Sequence, residues 1–200
     1  VDGWRNMVAV SAGQWHTVGL KSNGRVIGLG CNNDGRIDFG TWRDIIAVSA
    51  GRNHTVGLEA DYTAVAVGDN SSGQCNVEGW SNLLAVSAGG EHTLGLTRDG
   101  KVLAAGRKTE MQSSVAEWDN IIAVSAGYYH SVGLKADGTV VAVGDNEYGQ
   151  CDVSDWTDIV AISAGGWHTL GLKSDGSIVA VGRDVNGQCE VLGWDNMMVP

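Results

Sequence analysis

The chain has 200 residues, 43% of them hydrophobic and 30 of them glycine, with one proline and a formal net charge of −10. That length supports one domain with a good core, while glycine at about double its usual ~7% with almost no proline excludes collagen-like and proline-rich chains. Thirteen basic residues scattered among 23 acidic ones offer no basic face to nucleic acid, and no apolar run of ~18 residues is present to span a membrane.

The chain opens on VDGWRNMVAV, with no secretory signal pattern and a Val at position 1, which suggests a processed chain or a piece of a longer one. Trp4 starts a series that recurs every 38 residues at Trp42, Trp80, Trp118, Trp156 and Trp194. The five histidines, His16, His54, His92, His130 and His168, keep the same period. Repeats of this length signal a stacked or radial architecture. Five periods leave ten residues, VLGWDNMMVP at 191–200, which duplicate residues 1–10.

Each repeat is expected to hold four short extended segments. The first is Ile121–Ala126 and its cognates Met7–Ala12, Ile45–Ala50, Leu83–Ala88 and Ile159–Ala164; the second runs His130–Lys135, the third Thr139–Gly144, and the fourth Gln150–Val153. All are rich in Val, Ile, Leu and Ala and bounded by Gly, Asp and Asn, and none has a helical period. Asn23-Gly24, Asp99-Gly100, Asp137-Gly138 and Asp175-Gly176 predict two-residue hairpin turns between the second and third segments. Repeat two has Asp61-Tyr62 there, so Tyr62 is expected to be strained or its turn different.

Within each segment large residues alternate with small ones, as in Val140-Val141-Ala142-Val143-Gly144. Neither face is polar, which suits sheets packed on both sides by copies of themselves. Arranged radially, that is an all-β fold, a β-propeller of four-stranded blades of about 38 residues, with five repeats in one domain over 1–200. A solenoid would need distinct caps, and a sandwich would not need the period. A closed five-bladed ring is the expected form, although residues 1–10 and 191–200 then compete for one slot; an open ring would leave ends able to self-associate.

Five histidines on separate blades cannot readily converge at ~2 Å on one metal, so hydrogen bonding within or between blades is the expected role. The Trp series is expected to cover the core at the blade edge. Cys75, Cys151 and Cys189 share one repeat position and Cys31 another; spacing across blades exceeds the ~7 Å disulfide limit, so four free, mostly buried thiols are expected. Asp145-Asn146-x-x-Gly149 lacks the alternating acids of a calcium loop. No nucleophile has an evident base and orienter, so no enzyme activity, no metal and no cofactor is expected.

Ser87-Ala88-Gly89-Gly90-Glu91-His92-Thr93-Leu94-Gly95-Leu96, Asp99-Gly100-Lys101-Val102 and Gly144-Asp145-Asn146-Glu147-Tyr148-Gly149-Gln150 resemble the repeat of the regulator of chromosome condensation family. The likeness covers all five repeats. It is closer to the short bacterial repeats, including those of the propeller-type β-lactamase inhibitory protein, than to the longer repeats of the eukaryotic nuclear exchange factor. It implies a propeller, commonly of seven blades, acting through protein–protein contacts. Two departures stand out: only five repeats are present, and repeat three reads Gly106-Arg107-Lys108-Thr109-Glu110-Met111-Gln112 in place of the Asp-Asn loop. The resemblance leans toward a secreted or cell-surface protein, whereas free thiols lean toward a reducing compartment.

With strands running alternately up and down, the Ala-Gly-x-x-His loops and the Asp-Asn-x-x-Gly-Gln loops share one face. Both carry dipeptides that vary between repeats. The residues expected to bind a protein partner there are Gln14, Trp15, Arg52, Asn53, Glu91, Tyr128, Tyr129, Tyr148 and Trp167. Trp, Tyr and Arg supply most interface hot spots, and Trp15 and Trp167 are the two tryptophans outside the 38-residue series. The expected function is a non-catalytic protein-binding propeller. The rivals are a structural repeat segment of a larger surface or scaffold protein and, behind it, a lyase or hydrolase.

Overall fold

The computed structural model describes residues 3–195 and 197–198. Val1, Asp2, Asn196, Val199 and Pro200, part of the terminal duplication, lie outside the described residues. The fold is all-β, with five antiparallel three-stranded sheets, one per repeat. They are β1 Met7–Ala12, β2 His16–Lys21 and β3 Val26–Gly30; β4 Ile45–Ala50, β5 His54–Glu59 and β6 Ala64–Gly68; β7 Leu83–Ala88, β8 His92–Thr97 and β9 Val102–Gly106; β10 Ile121–Ala126, β11 His130–Lys135 and β12 Val140–Gly144; β13 Ile159–Ala164, β14 His168–Lys173 and β15 Ile178–Gly182.

Successive sheets stack as blades. The first strands neighbour one another in turn, β1 with β4, β4 with β7, β7 with β10 and β10 with β13, and each middle strand packs on the first strand of the next blade. The alternation of large and small residues drives this stacking. Val132, Leu134, Val140 and Val153 of the fourth blade form a buried cluster with Trp156 and Ile159 of the fifth, and Ile162 packs against it. Leu94, Leu96, Val102 and Val115 do the same with Trp118 and Ile121 one blade earlier. Each core therefore sits between blades, and no blade encloses one alone.

Two glycine positions make the repeat possible. A Cβ on Gly133 would lie 2.7 Å from the Trp118 ring, and the equivalent atom on Gly57 would lie 2.8 Å from Trp42. The missing side chain is the seat for the linker tryptophan, which covers the junction as expected; Trp42, Trp118 and Trp156 are all buried. A Cβ on Gly13 would lie 2.5 Å from both His16 and the Gly51 carbonyl. The Ala-Gly pairs before the first four histidines are thus points of close approach between successive blades.

The fourth segment differs from the expectation. Gln150–Val153 forms turns, with Asp152 N–H donating to the Gly149 carbonyl and Val153 N–H to Cys151. Asn146 replaces a strand partner: its Oδ1 accepts the Cys151 amide at 2.7 Å and its Nδ2 donates to Asp152. Val153 still plugs the junction core, which is why the segment looked like a strand.

The hairpin turns also differ from the expected two-residue type. Gly24, Gly100, Gly138 and Gly176 have positive φ, but the Asn or Asp before each does not. Gly24 N–H donates to the Lys21 carbonyl and Lys21 N–H to Arg25, a three-residue loop ending in a left-handed residue. Tyr62 occupies that left-handed position with φ 69°, so the strain expected there is present. Arg98 stacks on its ring at 3.7 Å.

The expected ring closure does not occur. Val10 on β1 is 69% exposed, whereas its cognates Val48, Val124 and Ile162 pack against the preceding blade. Leu170 and Leu172 of β14 are half-buried where Leu94, Leu96, Val132 and Leu134 are fully buried. The five blades form an open arc, because a ring needs each outer face to meet a partner and these two do not. In the open arc the two copies of the opening motif do not compete for one slot. Met197 N–H donates to the Gly176 carbonyl at 3.1 Å, as Ile45 does to Gly24 and Ile159 to Gly138. The second copy of the opening motif therefore lies where a next blade would start.

Candidate partner-binding face

The histidines are structural. His16 Nε2 lies 2.9 Å from Thr55 Oγ1 of the next blade, and the same bond joins His54 to Thr93, His92 to Ser131 and His130 to Thr169. Each hydroxyl donates its own proton to a carbonyl at 2.7 Å, that of Arg36, Gln74, Gln112 or Gln150. The hydroxyl oxygen must therefore accept from the ring, which assigns the proton to Nε2. Nδ1 is left bare and buried without a partner in all four. Burial holds His54 down to about 4, with a smaller contribution from His16, and His92 to about 3, with smaller contributions from His54 and His130. His130 is also held at about 4, by burial and then by His168. Among the described residues no group of His, Cys, Asp and Glu is arranged to hold a metal.

The four cysteines are free and half-buried, somewhat less enclosed than expected. Burial, and then Asp69 or Asp145, pushes the Cys75 and Cys151 thiols up to about 12. Such thiols stay protonated and are poor nucleophiles.

The variable dipeptides meet on one face. Glu91 of a first-to-second loop accepts Ser72 Oγ at 3.3 Å and Arg107 Nη1 at 3.0 Å, both from third-strand loops. Asn53 likewise accepts Arg36 Nη1 at 2.8 Å. Around the axis the Ala-Gly pairs of all five blades line a recess of about 370 Å³, with Gln14, Arg52, Gly90, Tyr128 and Trp167 at its rim.

On the rim the side chains lock together. Tyr128 stacks on Trp167 with ring centroids 5.5 Å apart and meets Tyr129 edge-on at 4.6 Å. Arg52 lies over the Tyr128 ring at 5.1 Å and pairs with Glu91 at 3.2 Å. Glu91 also pairs with Arg107, which covers Tyr129 and is held by Glu110 at 2.8 Å. Hydrogen bonds to Glu110 and Glu91 raise the Arg107 pKa. Burial raises the Tyr128 hydroxyl, with Arg52 opposing. Gly90 permits this arrangement, since a Cβ there would sit 3.1 Å from the Tyr128 ring and closer still to its carbonyl.

Seven of the nine expected residues thus fall in one connected cluster or at its edge: Arg52, Glu91, Tyr128, Tyr129, Tyr148, Trp167 and, on the recess rim, Gln14. Asn53 sits beside it, tied to Arg36. Trp15 stands at the first blade, 59% exposed, away from the stack because the arc does not bring blade one next to blade five. Three arginines were missed. Arg36 pairs with Asp34 and Asn53, Arg107 bridges Glu91 and Glu110, and Arg183 lies between Tyr148 and Trp167 at 5.4 and 5.5 Å. Arg183 has no carboxylate partner among the described residues. Their signal was readable: Arg107 and Arg183 replace the Asp that follows the third-strand glycine in blades two and four.

Fold and site define a repeat propeller whose blades share one scaffold and differ at one loop face. The repeat of the Regulator of chromosome condensation (RCC1) family matches residues 7–36, 45–74, 84–110, 121–150 and 159–188, and the chain belongs to that family. Among solved structures, human WBSCR16 aligns at TM-score 0.76 and 20% identity, covering 93% of this chain and 65% of that one. Prp20p of Saccharomyces cerevisiae aligns at 0.72 and 20%, covering 88% and 57%. The ectodomain of the Physcomitrella patens receptor kinase CR4 aligns at 0.73 and 21%, covering 91% and 52%. The chain thus spans between half and two thirds of these neighbours. No curated protein sequence matches it.

Proposed function

We propose that this chain is a non-catalytic protein-binding propeller, and that the variable loop face around the axial recess is the docking surface. The observation that supports this most is the rigid aromatic–arginine cluster of Arg52, Tyr128, Tyr129, Trp167, Arg183 and Tyr148, held by mutual stacking. Aromatic and arginine side chains fixed in advance lose little entropy on binding and make the strongest interface anchors. Trp15 adds an exposed indole on the same face. The pairing of His16, His54, His92 and His130 across the junctions and the protonated Cys75 and Cys151 thiols support a non-catalytic reading. Among fold neighbours, Prp20p has binding properties toward Gsp1p and histones, so this architecture is compatible with protein partners.

The test is capture of a partner by the immobilised chain, followed by titration calorimetry with Trp15→Ala, Tyr128→Ala and Trp167→Ala. At least one of Tyr128 and Trp167 is expected to cost ~2 kcal/mol or more, with the fold intact by near-ultraviolet circular dichroism. A captured partner whose affinity ignores all three substitutions would overturn the assignment of this face.

A further inference from the structure

Each first strand carries one residue beyond what its ladder needs. Met7 pairs with Lys21 and Ala9 with Leu20, which leaves Val8 as a bulge, and the same shift recurs at Ile46, Leu84, Ile122 and Val160. The first strands are the inner edges of the blades. They neighbour one another in turn, and their far ends carry the Ala-Gly pairs that line the axial recess. The residue before each bulge, such as Ile45, Leu83 or Ile121, is buried, and the bulge turns the next aliphatic out of the core. Ile46, Leu84 and Ile122 are 48%, 53% and 52% exposed. All three belong to blades flanked on both sides, so their exposure does not arise at the ends of the arc.

A polar side chain would serve an exposed bulge equally well, so an aliphatic there on blade after blade is a feature of the surface and not of the core. Tyr62 adjoins this row. It holds φ 69° where the other blades place Gly, its side chain is exposed, and its carbonyl accepts the Leu83 N–H at 3.0 Å, directly before Leu84. Backbone strain of this kind persists where a side chain is used.

Charge selects the occupant. Asp61, Asp99, Asp137 and Asp175 stand exposed on the hairpin turns of the same face, and Asp44 and Asp158 lie two residues before Ile46 and Val160. The hydroxyls of Thr63, Thr139 and Ser177 donate to Asp61, Asp137 and Asp175 at 2.6 Å and lower their pKa values. Several cations nearby are engaged. Lys101 pairs with Asp119 at 3.1 Å, Arg43 donates to the Gly40 and Trp42 carbonyls, and Arg98 lies over Tyr62; Lys135 and Lys173 offset Asp137 and Asp175 in part. This surface repels anionic lipid, and a second copy would set acid against acid in a chain of net charge −10. We propose that the row of Ile46, Leu84 and Ile122 is a second docking site, opposite the variable loops, for a basic protein segment that carries an apolar side chain between lysines or arginines. The apolar side chain covers the row, and its cationic neighbours reach the turn aspartates. Nothing in this site depends on the variable face.

The test is titration of the full 200-residue chain with a short peptide alternating lysine and leucine, followed by methyl NMR. Shifts are expected at the methyl groups of Ile46, Leu84 and Ile122. The combined variant Ile46→Ser, Leu84→Ser and Ile122→Ser is expected to bind about tenfold more weakly or worse with its urea midpoint unchanged, because all three side chains are exposed. Tyr128→Ala, on the variable face, is expected to bind the peptide as the parent chain does. Peptides alternating lysine with serine, or glutamate with leucine, are each expected to bind at least about tenfold more weakly than lysine with leucine. No binding of the lysine–leucine peptide, equal binding of either control peptide, or an affinity indifferent to the three serines overturns the proposal. Adsorption to phosphatidylserine vesicles through the same three residues overturns it in favour of a membrane surface.

Discussion

Mild acid should loosen this protein well before its carboxylates titrate, and the buried histidines say by how much. His54, His92 and His130 have bare Nδ1 atoms in dry surroundings, which hold their pKa values at about 4, 3 and 4 against 6.5 unfolded. The native state stays neutral while the unfolded chain takes up protons. Their contribution is therefore complete above pH ~6.5, falls as the pH drops toward 4, and levels off below the folded values. One such histidine changes stability by about 1.4 kcal/mol per pH unit within that window. Three acting together give about 4 kcal/mol per unit, or roughly 6 kcal/mol between pH 6 and 4.5, comparable with the whole stability of an ordinary domain. With a urea dependence of ~3 kcal/mol/M, the unfolding midpoint should fall by about 2 M. Asp69, held low by hydrogen bonds from Ser71 and Gln74 that outweigh its burial, loses its share only below its unfolded value near 3.8, outside the histidine window. The assay is urea unfolding by tryptophan fluorescence at half-unit pH steps. His92→Gln should reduce the slope by about one proton's worth, ~1.4 kcal/mol per pH unit. A midpoint that stays level from pH 7 to 4.5 would falsify the assignment of neutral, Nε2-protonated histidines at the junctions.

Gly133→Ala places a methyl group 2.7 Å from the buried Trp118 ring; it should cost about 1–3 kcal/mol by overpacking, read as a lower urea midpoint. Met111 holds φ 62° at a loop position where the other blades have Gly, and its side chain is 64% exposed. Met111→Gly should therefore stabilise the chain by up to ~1 kcal/mol, and a lowered midpoint would contradict a strained backbone there. Gly90→Val would drive its side chain into the Tyr128 carbonyl and ring and should break the stack on Trp167, seen as altered near-ultraviolet dichroism with the far-ultraviolet signal unchanged.

Much of the fold was legible because the repeat displays it many times over. The 38-residue spacing of His and Trp, and large residues alternating with small, require sheets stacked on both faces, and that needs no knowledge of distant contacts. The pairing of the two variable loops on one face followed from strand direction alone. Less legible was the fourth segment, because an apolar Val153 looks alike in a strand and in a turn that plugs a core. The Asn, Asp and Met residues that take left-handed φ, such as Asn120 and Met111, were missed because a single residue type does not announce its backbone state.

The sequence by itself determined the blade, its count and the identity of the variable face, since these depend on local period and side-chain size. Only the tertiary structure decided whether the arc closes. Closure depends on the small rotation between successive blades, summed over five junctions, and that rotation is set by how Trp, Gly and the histidine–threonine bonds pack. It also decided which variable residues meet: Gly90 lets Tyr128 lean between Arg52 and Trp167, two blades and one blade away, while Trp15 remains apart at the open end.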